Sequence, residues 1–266
     1  MKLKQVINKS WYLSNGYIDS QSSLDQLEQY ILFNLPVLKE FVKIVVATTY
    51  STQDKALIQG NTNVWKKYFP ECKLIDLTKN RGHGFGIADS ENALIDYCKQ
   101  YKVKWVCKAS NDIILKEDIL NKEISKTDFY YTNGISYEDL YLNNFDYDKI
   151  FTEHFFPQTN FYLIRADKID YLYNKDYVNK TYQQRLTIPN YNNKIWEHIP
   201  GWACELFLKE CVERNNLTKE YLLDLETHVK LCNVIKHYKI GDPSHKNLMI
   251  EGICHLQFPE QNILEI

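Results

Sequence analysis

The sequence predicts an α/β fold, a mostly parallel sheet with helices on both faces, and three observations carry that expectation. Apolar, β-branched runs of strand length alternate with stretches of helical periodicity over roughly the first 115 residues. The run CKLIDL from Cys72 leads into a glycine-rich loop, Asn80-Arg81-Gly82-His83-Gly84-Phe85-Gly86, that opens onto a helical segment. The next strand, KWVCKA from Lys104, ends on Ser110, Asn111 and Asp112. A carboxylate therefore stands at a strand end, where open α/β sheets hold their ligands.

The elements follow in order. A first strand is expected near Lys4 to Leu13, and a helix from Ser22, with Ser23 as its cap and Gln26 at the third helical position. Leu24, Leu27, Tyr30, Ile31, Phe33 and Leu35 give that helix an apolar face until Pro36 disturbs it. KIVVATTYS, from Lys43 to Ser51, reads as a strand buried on both faces. A polar stretch and a short helix near Val64 to Tyr68 precede the strand from Cys72, the helix from Ile87 to Gln100 and the strand from Lys104.

After Leu115 the alternation is lost. DFYYTNGISY and QTNFYLIRA are aromatic-rich strands on either side of a polar loop containing Asn143, Asn144, Asp146 and Asp148, so the C-terminal half is expected to extend the sheet with mixed or antiparallel strands. An amphipathic helix is predicted from Ala203 to Arg214, another helix from Lys219 to Val229, and a late strand in EGICHLQF. No internal repeat or linker divides the chain. The expectation is one domain over 1–266, with a nucleotide-binding lobe over about 1–118 and an acceptor and catalytic lobe over about 119–266.

Composition narrows the class. The 266 residues are 44% hydrophobic, enough for a large core. The formal charge of −2 provides no global field toward nucleic acid or anionic lipid. Seven cysteines, at 72, 98, 107, 204, 211, 232 and 254, are scattered without the clustering of a zinc site or disulfide framework, which fits a reducing compartment. No apolar run approaches membrane-spanning length. A cytoplasmic protein is expected.

Four places offer chemistry. Gly82 and Gly84 let backbone N–H groups approach a nucleotide, or they make a tight turn; the spacing is neither the dinucleotide fingerprint nor a P-loop. Asp112 suits a divalent cation bridging two phosphates, or closes an Asx turn with Ser110 and Asn111. Glu205 stands in the first turn of a predicted helix behind Trp202, placed as a general base beside an indole that can stack on a sugar, or as an ordinary helix-start glutamate beside a core tryptophan. His255, in a late apolar strand, is either a satisfied core histidine or a ligand completing the Asp112 site.

From Lys43 to Leu208 the order of these features resembles the glycosyltransferases of the GT-A (Rossmann-like) fold, in particular the inverting family that includes bacterial capsule and lipopolysaccharide synthases. The resemblance implies a nucleobase-contacting strand end at Ala47 to Ser51, including Thr48, Thr49 and Tyr50. It aligns Asn80-Arg81-Gly82 with an Asn-x-Gly motif and Ser110-Asn111-Asp112 with the Asp-x-Asp metal motif. Gly201-Trp202-Ala203-Cys204-Glu205 is similar to the Gly-Trp-Gly-Gly-Glu of galactosyltransferases, in which a late histidine also binds metal.

The implied protein is a hexosyltransferase using a nucleotide-sugar donor, UDP-sugar foremost, with Mn2+ or Mg2+. Its acceptor hydroxyl would belong to a glycan, a lipid-linked sugar, a protein or a modified base in DNA. Donor contacts would come from Thr48, Thr49, Tyr50, Asn80, Gly82, Gly84, Ser110 and Asn111, metal ligands from Asp112 and His255, and acceptor chemistry from Trp202 and Glu205. Two departures stand out: Ser110 replaces the first acid of Asp-x-Asp, and Leu206 follows Glu205 where an Asp is usual. The rival readings are a nucleotidyltransferase, for which Ser14-Asn15-Gly16 would have to serve as a loop after the first strand, and a non-catalytic nucleotide-sugar-binding module.

Overall fold

The structure is a computed structural model that describes residues 1–79, 81, 85–110, 113–115, 117–133, 157–171, 203–222, 249–250 and 253–255, together with 176, 178–180 and 183. It is an α/β fold. In chain order the elements are α1 (Lys4–Ile7), β1 (Ser10–Ile18), α2 (Gln21–Leu38), β2 (Lys43–Tyr50), α3 (Lys55–Tyr68), β3 (Lys73–Leu77), α4 (Phe85–Cys98), β4 (Trp105–Ser110) and β5 (Ile113–Leu115). There follow β6 (Phe129–Asn133), β7 (Pro157–Arg165), α5 (Ala203–Arg214), β8 (Lys219–Tyr221), β9 (Met249–Ile250) and β10 (Ile253–His255). Short 3-10 turns over Glu117–Asn121 and Ala166–Tyr171 follow β5 and β7.

Seven strands form one mixed sheet in the order β3-β2-β1-β4-β7-β6-β8. β1 pairs in parallel with both β2 and β4, and β2 with β3, so the carboxyl ends of these four strands share one edge. β7 runs antiparallel between β4 and β6, as the loss of alternation after Leu115 predicts, and β8 adds a parallel edge to β6. A second, three-stranded antiparallel sheet has the order β5-β10-β9.

Alternation along the central strands divides the core into two layers. Tyr12, Ile44, Val46, Cys107 and Ala109 pack with Leu24, Leu27, Tyr30 and Ile31 of α2 and Trp65 of α3. On the other face Leu13, Val45, Ala47, Val106 and Ile164 meet Phe85, Ala88, Leu94 and Ile95 of α4 and Leu208, Cys211 and Val212 of α5. At about 25 cal/mol per Å² of apolar surface removed from water, these layers supply the main force holding helices to sheet. Cys72, Cys98, Cys107 and Cys211 are buried free thiols within them. Among the described residues no helix is long and apolar enough to cross a membrane.

Several boundaries differ from the sequence reading, for identifiable reasons. Lys4–Ile7 is a helical turn rather than the start of a strand, because Leu3, Val6 and Ile7 are all buried at helical spacing; β1 begins at Ser10. Ser20, not Ser23, caps α2: its hydroxyl accepts from the Ser23 N–H, and Ser23 answers to the Ser20 N–H. Pro36 lies inside α2, where the carbonyl it cannot reach is that of Leu32, an exposed residue. α3 begins at Lys55, nine residues before the expected start, with Asp54 as cap; its inner stripe is interrupted by a buried asparagine, Asn61, which hides the periodicity. Lys219–Tyr221 is strand β8, not helix, because it pairs with β6 and the Leu222 N–H bonds to Tyr131. The rest of that predicted helix lies outside the described residues.

Candidate functional site at the β1/β4 switch point

The chain places β2 and β3 on one side of β1 and β4 on the other. The connection therefore reverses direction between β1 and β4, and a crevice at the carboxyl ends of two such strands is where open α/β sheets bind ligands. In register, Asn15 of β1 lies opposite Ser110 of β4, and Tyr17 of β1 opposite Thr49 of β2. β3, parallel to β2, also ends at this edge, and α4 is the next element of the chain.

The face under α4 carries a buried polar network. Lys108 and Glu91 are only 1% and 2% exposed, and Lys108 Nζ stands 3.0 Å from Glu91 Oε1, close enough for an ion pair but off the line of a hydrogen bond. Tyr162 of β7 donates its hydroxyl to Glu91 Oε2 at 3.0 Å. Lys108 also donates to Ser110 Oγ at 3.1 Å, and Ser110 donates to Asn15 Oδ1 at 3.4 Å. Two buried charges that meet cancel each other, and the desolvation each costs makes an unpaired one unfavourable by several kcal/mol. Strand alternation puts Lys108 and Ser110 on the same face two residues apart, and α4 brings Glu91 down onto it.

The opposite face of the same edge carries a second network. Asn61 of α3 donates from Nδ2 to Thr48 Oγ1 at 3.1 Å and to the Tyr50 hydroxyl at 3.0 Å, while Tyr50 donates to Asp76 at 2.6 Å. Burial, then the Asp76 carboxylate, push the Tyr50 phenol well above its ordinary range. Thr48 and Tyr50, expected at a nucleobase, are buried and hydrogen-bonded within this packing of α3 on the sheet. Thr49 faces the other way, with its hydroxyl 3.4 Å from the Gly16 carbonyl.

Arg81, between Asn80 and Gly82, clamps Asp89 of α4 through Nε at 2.7 Å and Nη2 at 2.5 Å, donates from Nη1 to Asn179 at 2.9 Å, and lies over the Phe85 ring. A bidentate fork of this kind fixes orientation as well as charge. It ties the end of the β3 loop to the first turns of α4.

The remaining expected residues are placed in part. Asn80, Gly82, His83, Gly84, Asn111, Asp112 and Trp202 lie outside the described residues. Glu205 belongs to the first turn of α5, as its position after the Gly-Trp pair predicts, although its side chain is not among the described ones. His255 ends β10, and its backbone pairs with Ile113, the residue that follows Asp112 in the chain. The small sheet thus joins the strand carrying one expected metal ligand to the strand that follows the other. Among the described residues no three His, Cys, Asp or Glu side chains gather as a metal site.

Sequence reading passed over Tyr17, Glu91 and Lys108, and named Asn15 and Arg81 only as members of the runs Ser14-Asn15-Gly16 and Asn80-Arg81-Gly82. A signal existed for two of them: Lys108 is the one charge in the buried strand WVCKA, and Glu91 falls at helical spacing between Ala88 and Leu94. Each in an apolar surface demands the other. Ser14-Asn15-Gly16 is not a loop after the first strand; all three residues lie within β1 and pair with β2, and the first two pair with β4 as well. No family model matches the chain and no curated protein matches it.

Proposed function

We propose that this protein is a glycosyltransferase of the GT-A type that moves a sugar from a nucleoside diphosphate donor, UDP-sugar foremost, to an acceptor hydroxyl. The observation that supports it most is the β1/β4 switch point with polar residues at its mouth, backed by a second sheet that pairs His255 with the strand after Asp112. The diphosphate would lie at the ends of β1 and β4, beside the start of α4. Tyr17, 46% exposed and opposite Thr49, offers the nucleobase an aromatic face.

Asp112 and His255 have the oxygen and nitrogen donors to hold Mn2+ or Mg2+, which would supply charge neutralisation at the departing diphosphate. Glu205, in the first turn of α5, would take the proton from the acceptor hydroxyl, and Trp202 would stack on the acceptor. The nucleotidyltransferase alternative would need a loop other than Ser14-Asn15-Gly16, since these residues lie inside β1.

The test is a thermal-shift and hydrolysis screen of UDP-, GDP- and CMP-sugars with and without Mn2+. The expected outcome is Mn2+-dependent stabilisation by UDP, about 2.7 kcal/mol at 100 times its dissociation constant, together with slow sugar release. Asp112→Asn should remove the Mn2+ dependence and leave the melting temperature of the free protein unchanged. Binding without sugar release or transfer to any acceptor would favour the non-catalytic module, and binding of none of the three nucleotides would overturn the reading.

A further inference from the structure

The network under α4 has a direction. A lysine ammonium can only donate, so Ser110 Oγ accepts from Lys108 and spends its single proton on Asn15 Oδ1. The Asn15 carbonyl oxygen is thereby engaged, and its two amide N–H groups are what the side chain has left to offer. Asn15 is only 8% exposed, and among the described residues its amide nitrogen has no hydrogen-bond partner. The nitrogen is not one of the fully buried polar atoms left without a partner, so it stays accessible to an incoming acceptor. It sits at the switch point itself, between β4 and β2.

We propose that Lys108, held by Glu91, acts as a positioning residue that orients Ser110 and so makes Asn15 an N–H donor subsite for an oxygen of the bound nucleotide. The inference rests on the nucleotide-sugar reading above. The recognised chemistry is an oxygen acceptor of a nucleoside diphosphate, either a base carbonyl or a phosphate oxygen. A serine suits this arrangement better than the aspartate usual at the position. A carboxylate would accept from Lys108 but would have no proton to pass to Asn15, and the amide would be free to turn its oxygen outward.

Calorimetric titration in Mn2+ with UDP, uridine and inorganic pyrophosphate tests this. Asn15→Asp should weaken UDP binding by roughly 10- to 100-fold at about pH 8, where an acceptor has replaced the donor. Relative to the unaltered protein, part of the loss should return at about pH 5, as the new carboxyl begins to protonate and can donate. A purely structural role would not reverse in that way, and Asn15→Ala, with melting temperature followed in parallel, separates lost binding from lost fold. The oxygen comes from whichever of uridine or pyrophosphate shows the same loss.

The double variant Lys108→Met/Glu91→Gln, which removes both charges together, should cost about 3- to 10-fold in UDP affinity and shrink the added penalty of Asn15→Asp. An unchanged penalty in that background would overturn the positioning role of Lys108. Equal UDP affinity of the unaltered protein and Asn15→Asp at both pH values would overturn the subsite and leave the nucleotide reading standing. Failure of the unaltered protein to bind UDP, GDP or CMP would overturn both.

Discussion

The carboxyl edge of the sheet carries two polar networks, one on each face, built from similar residues and differing in what they leave open. On the α3 face, Asn61, Thr48, Tyr50 and Asp76 bond to one another. The donors of Asn61 are spent there, and its Oδ1 is sealed without a partner among the described residues. On the α4 face, Glu91, Lys108, Ser110 and Asn15 form a chain that begins in a fully buried ion pair and ends on an amide whose N–H groups are unspent among the described residues. The first arrangement spends its donors in holding α3 to the sheet. The second runs as a hydrogen-bonded chain from the ion pair in the core to the switch point, the place where an open α/β sheet would receive a ligand.

The contrast can be broken most severely at its charged end. Lys108→Met alone would strand Glu91 without its cation in the core and should destabilise the protein by about 3–5 kcal/mol. Adding Glu91→Gln should recover most of that, since a glutamine there could still accept from Tyr162 and no buried charge would remain. Urea unfolding of the two variants measures it. If Lys108→Met unfolds like the unaltered protein, the pair is not a buried anchor.

The α3 network should respond differently. Asn61→Ala removes the donor to Thr48 and Tyr50 and should cost about 1–3 kcal/mol, while UDP affinity of the folded protein stays the same. A matching fall in UDP affinity would mean that both faces serve the ligand and would erase the distinction between them.

How much of this was legible in the sequence follows from the same difference. The alternating strands, α4, α5 and the antiparallel extension through β7 were readable because their apolar periodicity survives in the chain. α3 was mostly missed because Asn61 occupies a core position, and a polar residue there looks like a loop until its partners on β2 are known. β8 was misread as helix because its conformation comes from pairing with β6, a contact 90 residues away at Asp128 and Thr218. Motif order put Ser110 at the end of a strand, where β4 does end, and read the serine as a departure from a metal motif. Its hydrogen bonds to Lys108 and Asn15 join a neighbour two positions away with a residue 95 positions away, and no spacing rule reveals such a set. Likewise, Thr48, Thr49 and Tyr50 were grouped by adjacency, whereas strand alternation sends Thr49 to one face and its neighbours to the other.

The smallest effect on stability is expected at Tyr17, and it sharpens the comparison furthest. Tyr17 is on the α4 side of β1, the same side as Asn15 two residues earlier, yet it is half exposed. Tyr17→Ala should therefore change unfolding free energy by no more than about 0.5 kcal/mol. If the ring serves as the platform for the base, the same substitution should weaken UDP and uridine by roughly 10-fold, within the usual worth of one base stacked on one aromatic ring, and leave pyrophosphate untouched. Tyr17→Phe keeps the ring and loses only the hydroxyl, so it should bind all three ligands nearly as well as the unaltered protein. Loss of pyrophosphate binding in Tyr17→Ala would instead mean that the ring shapes the diphosphate end of the crevice. Unchanged uridine binding would take the base away from β1 and leave Asn15 to meet the phosphates.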